Sequence, residues 1–165
     1  MKFEKDIKII LKQELIKELE ICVDNARQNE ACGLIFGRIE TTEIAPEDFQ
    51  NLYEAQKFSC IKSNEKSPVA FLINDVETLY KVIKESTQED NIRVISIFHS
   101  HPSGSYPSGV DYSNMKQLDA FTKTFQKFTL LDPYQIWTIM DAKTFELNGF
   151  IFLDGEISQI DVIIK

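Results

Sequence analysis

The chain has 165 residues, 43% of them hydrophobic and 11% aromatic, which is enough apolar surface for one folded core without disulfide staples. Six glycines and five prolines exclude a disordered or low-complexity chain, and no fixed-period repeat or linker divides it. A net charge of -8 with no basic run sets up a field that repels polyanions, so no nucleic-acid partner is expected.

Residues 1–20 carry charges every few positions and no apolar run longer than Ile9 to Leu11. Neither a secretory signal nor a membrane span is expected there, and the protein is expected in the cytoplasm. Ile7, Ile9 and Ile10 suggest a first strand. Leu15, Ile16, Leu19, Cys22, Val23 and Ala26 then fall at spacings of mostly three and four, predicting an amphipathic helix that stops near Asn29. Residues 30–37 read as a buried strand bounded by glycine, with Glu30 at its start. Strand candidates follow around 41–44 and 57–61, with turn material at 63–67.

Asn74 with Glu77 is a variant capping box for a second helix that carries Val76, Leu79, Tyr80 and Ile83 through about Glu85. Residues 91–98 have the β-branched, nearly continuous apolar character of a central strand. A third helix is predicted over 111–125 from Met115, Leu118, Phe121 and Phe125, with Asp111 or Ser113 as its cap. The remainder alternates strand and turn, with turns at 141–143 and 154–155. One central sheet flanked by helices, an α/β (α+β) arrangement in a single domain over residues 1–165, buries these faces most simply.

Cys22, Cys32 and Cys60 are odd in number and lack C-x-x-C spacing, so they are expected as small buried hydrophobes in a reducing compartment.

His99 and His101 are the only histidines. In an extended segment, residues i and i+2 share a side, so both imidazoles can meet one ion. Asp111 lies at the far end of a loop containing Pro102, Gly104, Pro107 and Gly109, which can bend its carboxylate back towards them. Two His and one Asp leave zinc an open position for water, whose pKa the metal brings to about 7. Glu30, an acid beginning an apolar strand, is the candidate general base, and reduced solvation is expected to lift its pKa. Ser108 is the candidate donor to a tetrahedral oxyanion. Singly, these signals are weak: such histidines are more often core or exposed residues, a lone carboxylate is usually solvated, and Ser after Pro is turn chemistry.

Together they are specific. Glu30-x-Cys32-Gly33, then His99-x-His101-Pro102, four further residues, and Pro107-Ser108-x-x-Asp111 leading into a helix resemble the JAMM (MPN+) zinc metalloprotease family over nearly the whole chain. The resemblance implies a single MPN/JAB-type domain with a curved mixed β-sheet flanked by helices, deaminase-like in outline. It implies one zinc on His99, His101 and Asp111, Glu30 as acid and base, and Ser108 steadying the oxyanion. The implied substrates are peptide or isopeptide bonds after the C-terminal tail of ubiquitin or a ubiquitin-like protein. Residues 64–72 and 103–106 are expected to line the groove for that tail. The loop from Pro102 to Pro107 is a residue shorter than the family's usual spacing. With no further His and no Cys cluster, a second, structural zinc is not expected. A homodimer or an activating partner stays open.

Four alternatives compete. An inactive MPN-type scaffold would lack ligands or the glutamate, yet all four residues are present. A processing peptidase acting on a small sulfur-carrier protein would use the same residues. A zinc nucleobase deaminase needs H-x-E and P-C-x-x-C, which are missing. A cysteine hydrolase built on Cys32 would need a histidine that already has a better use as a ligand.

Overall fold

The computed structural model describes residues 1–26, 29–62, 76–88, 91–125 and 131–165. Along the chain run β1 (Lys2–Leu11), α1 (Gln13–Ala26), β2 (Cys32–Ala45), β3 (Asp48–Ile61), α2 (Val76–Ser86), β4 (Arg93–His101), α3 (Gly109–Thr124), β5 (Ile136–Asp141), β6 (Leu147–Leu153) and β7 (Glu156–Ile164). Among the described residues, the strands close into a barrel in the order β1, β3, β2, β4, β5, β6, β7. The sheet is mixed: β1 runs parallel to both β3 and β7, β4 runs parallel to β5, and the other pairs are antiparallel.

The burial pattern explains the strands. In β1, Ile7, Ile9 and Leu11 are buried while Lys8 and Ile10 are only half-buried, the two-residue alternation of a strand with one face on a core. β2 is buried without interruption from Cys32 to Gly37, because it lies between β3 and β4 and is covered on both faces. Leu15, Ile16, Leu19, Cys22 and Val23 of α1 pack with Ile35, Ile95, Phe98 and Met140 on one face of the sheet. On the other face, Leu79 and Ile83 of α2 and Met115 and Leu118 of α3 pack with Leu34, Phe36, Ile97, Ile139 and Phe150. Phe36, Phe98 and Phe150 are fully buried, each stabilising by about 1.5–3 kcal/mol.

The curved mixed sheet flanked by helices is found, and it goes further by closing on itself through β1. Three expectations need correction. Gly37 does not end a strand: β2 continues to Ala45. A Cβ on Gly37 would lie 1.9 Å from the Glu54 carbonyl oxygen, so glycine is needed there for close strand approach and not for a turn. The third helix begins at Gly109, two residues earlier than expected. Third, Cys22 and Cys60 form a disulfide between α1 and the end of β3, and only Cys32 is a free buried thiol. Spacing along the chain does not reveal which strand end a helix face will meet, and the bridge removes the cysteines as an argument for a reducing compartment. The expected turn at 63–67, the cap Asn74 and the groove segment 64–72 lie outside the described residues. No described helix is long and apolar enough to cross a membrane.

Candidate metal centre

The centre is assembled where β2, β4 and α3 meet. His99 and His101 are two residues apart on β4 and so share a face. β2 runs antiparallel beside them with Cys32 opposite His99. The pairing continues past the end of β2: the Ser100 N–H donates to the Ala31 carbonyl at 2.9 Å, and the Ala31 N–H donates to Ser100 Oγ at 2.9 Å. Glu30 lies just before this segment, and its charge contributes to raising the His101 pKa. Ser100, the middle residue of the histidine pair, thus ties down the segment that presents Glu30. Sequence reasoning passed over it, because its burial and its hydrogen bonds with Ala31, 69 residues away, arise only in the folded chain.

Asp111 arrives through helix capping. Ser108 is the N-cap of α3, with its Oγ accepting from the Asp111 N–H while the Asp111 carboxylate accepts from the Ser108 backbone. This is a reciprocal capping box with Asp in the third helical position. Asp111 Oδ2 accepts from Ser108 N at 2.7 Å and from Ser108 Oγ at 2.9 Å. The expectation that Asp111 or Ser113 caps the helix is corrected to Ser108. The sequence P-S-x-x-D that carried the resemblance is itself the cap, and the positive end of the helix dipole favours an anionic Asp111.

The three side chains converge. Asp111 Oδ1 lies 3.0 Å from His99 Nε2, Asp111 Oδ2 lies 3.0 Å from His101 Nε2, and the two Nε2 atoms are 3.2 Å apart. Zinc bonds of about 2.0–2.1 Å in tetrahedral array have ligand-to-ligand edges of about 3.3 Å, so the donor atoms already stand at metal-ligand separations. His99 Nδ1 is buried with no hydrogen-bond partner among the described residues, so the ring's polar contacts run through Nε2 into the cluster. Lone pairs meeting this closely in a buried place require a proton or a cation between them. A buried group of this composition could hold a metal ion.

The titration behaviour agrees with a charged cluster. Burial works against ionisation of Asp111, but hydrogen bonds from His101 and His99, the histidine charge and the Ser108 backbone outweigh it and hold its carboxyl well below the usual carboxylate range. The hydrogen bond to Asp111 raises His101 above its ordinary 6.5 against the opposing effect of burial, with Glu30 and Asp141 adding to the rise.

The remaining sequence-predicted residues fall as follows. Glu30 is exposed, so the reduced solvation expected of it is not found. Just before the start of β2 it lacks the cover that the apolar strand receives. It borders a cleft of about 720 Å³ that Ile21, Phe58 and Ile61 also line. Ser108 is exposed beside Asp111. Of the expected groove residues 103–106, Ser103 and Tyr106 are exposed and Ser105 is buried. Burial pushes the Cys32 thiol up to about 11, with the Glu30 charge adding to it, so it stays protonated at neutral pH and is a poor nucleophile.

A family model described as prokaryotic homologs of the JAB domain matches residues 14–144, which takes in Glu30, both histidines, Ser108 and Asp111. The chain belongs to this family. No curated protein matches it. Among solved structures, this JAB domain is similar to the solution structure of protein DSY2949 from Desulfitobacterium hafniense. The TM-score is 0.64 at 21% identity, over 96% of this chain and 92% of that one, a likeness that shows the fold alone. Within the JAB fold, then, the chain brings His99, His101 and Asp111 together around one point, with the Glu30 charge acting on His101.

Proposed function

We propose that residues 1–165 form one zinc-dependent metalloprotease domain that hydrolyses the peptide or isopeptide bond after the C-terminal tail of ubiquitin or a ubiquitin-like protein. The observation that carries this reading is the buried meeting of His99, His101 and Asp111 at metal-ligand separations, with the exposed Glu30 carboxylate acting on His101 through its charge. Two nitrogens and a carboxylate form the donor set of a catalytic zinc with an open position. When bound, zinc supplies a Lewis acid and brings the pKa of water to about 7.

The chain's own residues do the rest. Glu30 takes the proton from the attacking water and returns it to the leaving amine, for which its exposed position next to a cleft leaves room. The Ser108 hydroxyl, held at the cap of α3, turns from Asp111 to donate to the developing oxyanion. The cleft beside Glu30, lined by Ile21, Phe58 and Ile61 together with the polar Glu18, Asn25 and Lys62, offers a bed for an extended tail.

The test is cleavage of a panel of ubiquitin-like conjugates and C-terminally extended sulfur-carrier proteins by zinc-loaded protein, with Glu30→Gln and a chelator as controls. Glu30→Gln should retain zinc and fold while losing most turnover. Isopeptide cleavage abolished by both controls supports the reading. Trimming of carrier tails alone would make the enzyme a processing peptidase instead. A zinc-loaded protein that cleaves nothing in the panel, or a Glu30→Gln variant at full rate, counts against it.

A further inference from the structure

Between His101 and the cap of α3 the chain crosses an irregular loop, residues 102–108, and that loop determines where Asp111 and Ser108 arrive. Two side chains from outside the loop hold it. The Gly104 N–H donates to Asp141 Oδ2 at 2.7 Å across 37 residues of sequence. Asn148 Nδ2 donates to Ser105 Oγ at 2.8 Å, and Ser105 is only 2% exposed. Gly104 has φ +93, a conformation that a side-chain-bearing residue would resist.

An aspartate opening a turn normally spends its carboxylate on the turn. Asp141 does so with one oxygen only: Oδ1 accepts from Lys143 N at 2.7 Å and Thr144 N at 3.3 Å. The other oxygen is committed to the loop. Asp141 also sits beside the first ligand strand, paired with His101 in the parallel register of β4 and β5, and the Ala142 N–H donates to the His101 carbonyl at 2.9 Å. The same short stretch therefore grips both ends of the problem, the strand bearing the histidines and the loop that delivers the aspartate. Asn148 is itself steadied by Gln159, whose Nε2 donates to Asn148 Oδ1 at 3.4 Å.

We propose that Asp141 and Asn148 are positioning residues of the metal centre: they clamp the 102–108 loop so that Asp111 stands at ligand distance from both histidines before an ion binds. This rests on the reading of His99, His101 and Asp111 as metal ligands. Groups outside the ligand set that orient it are worth 10- to 100-fold in metal affinity.

Wild type, Asp141→Asn and Asn148→Ala are to be compared by zinc affinity against a competing chelator, by amide hydrogen exchange at Gly104, and by thermal unfolding. In Asp141→Asn the amide can serve the turn or Gly104 but not both. The expected result is a folded variant whose Gly104 amide exchanges at least about tenfold faster and whose zinc affinity falls by about 10- to 100-fold. Asn148→Ala leaves the 142–144 turn untouched, should lose zinc affinity in the same direction, and decides alone if Asp141→Asn does not fold. Folded variants that bind zinc as wild type does, with Gly104 protected as before, overturn the clamp while leaving the metal centre standing. Wild type that binds no zinc overturns the metal reading and the clamp's role with it.

Discussion

Asp111 serves two structures at once. Its carboxylate completes the cap of α3 and faces both histidines, and this double duty couples the helix start to the charge of the histidine pair. In the metal-free protein the His101 pKa is raised and that of Asp111 is lowered. The raised His101 contributes stability that is full below its ordinary 6.5 and lost as pH rises through the folded value. The lowered Asp111 contributes stability present above its ordinary 3.8 and lost as pH falls through the folded value. Their pair therefore stabilises the metal-free protein most between those two ordinary values. Zinc needs His101 neutral, so its affinity should move the other way, rising with pH through the raised His101 value with release of about one proton. Zinc affinity measured against a chelator from pH 5.5 to 8.5 checks this, and a flat profile would remove His101 from the ligand set. Sequence spacing alone pointed to His99, His101 and Asp111. It could not have pointed to Ser100, Asp141 or Asn148, because their contribution consists of hydrogen bonds to backbone or to residues dozens of positions away.

At the scale of elements, the start of α3 and the close approach of β2 to β3 at Gly37 are two places where one residue decides a local structure. Ser108→Ala removes the side-chain half of the capping box, which should cost about 0.5–2 kcal/mol of stability. If Ser108 also serves the oxyanion, turnover should fall by about 100-fold or more. Unfolding and single-turnover rates measured on the same preparation separate the two effects, and a variant that loses stability but keeps its rate would leave Ser108 as a cap only. Gly37→Ala would press a Cβ onto the Glu54 carbonyl at 1.9 Å and Ile95 Cδ1 at 2.9 Å, forcing the β2 and β3 strands apart at a cost of about 1–3 kcal/mol. An unchanged denaturant midpoint for that variant would show that the strands can shift without penalty. The sequence showed a glycine there and invited a strand end. Only the pairing of β2 with both β3 and β4 shows that it permits close approach.

Over the whole molecule, the Cys22–Cys60 bridge closes a loop of 38 residues that holds the end of α1, all of β2 and most of β3. Chain-entropy reasoning gives such a loop about 3–4 kcal/mol of stabilisation, by limiting the unfolded chain. Unfolding in urea should therefore move to clearly lower midpoints when a dithiol reductant is present, with Cys22→Ser reproducing the shift without reductant. Three free thiols in the unreduced, denatured protein would show that the bridge does not form.

The sequence by itself determined the helices, most of the strands, the meeting of His99, His101 and Asp111, and the place of Glu30 before a buried strand. Each of these is written either in short-range periodicity or in a motif whose members lie within a dozen residues or at a strand's start. The tertiary structure decided the closure of the sheet through β1, the disulfide, the exposure of Glu30 and the hold of Asp141 and Asn148 on the ligand loop. Those features depend on which surfaces meet after distant segments pack, and local pattern carries no information about contacts between residues 22 and 60 or 104 and 141.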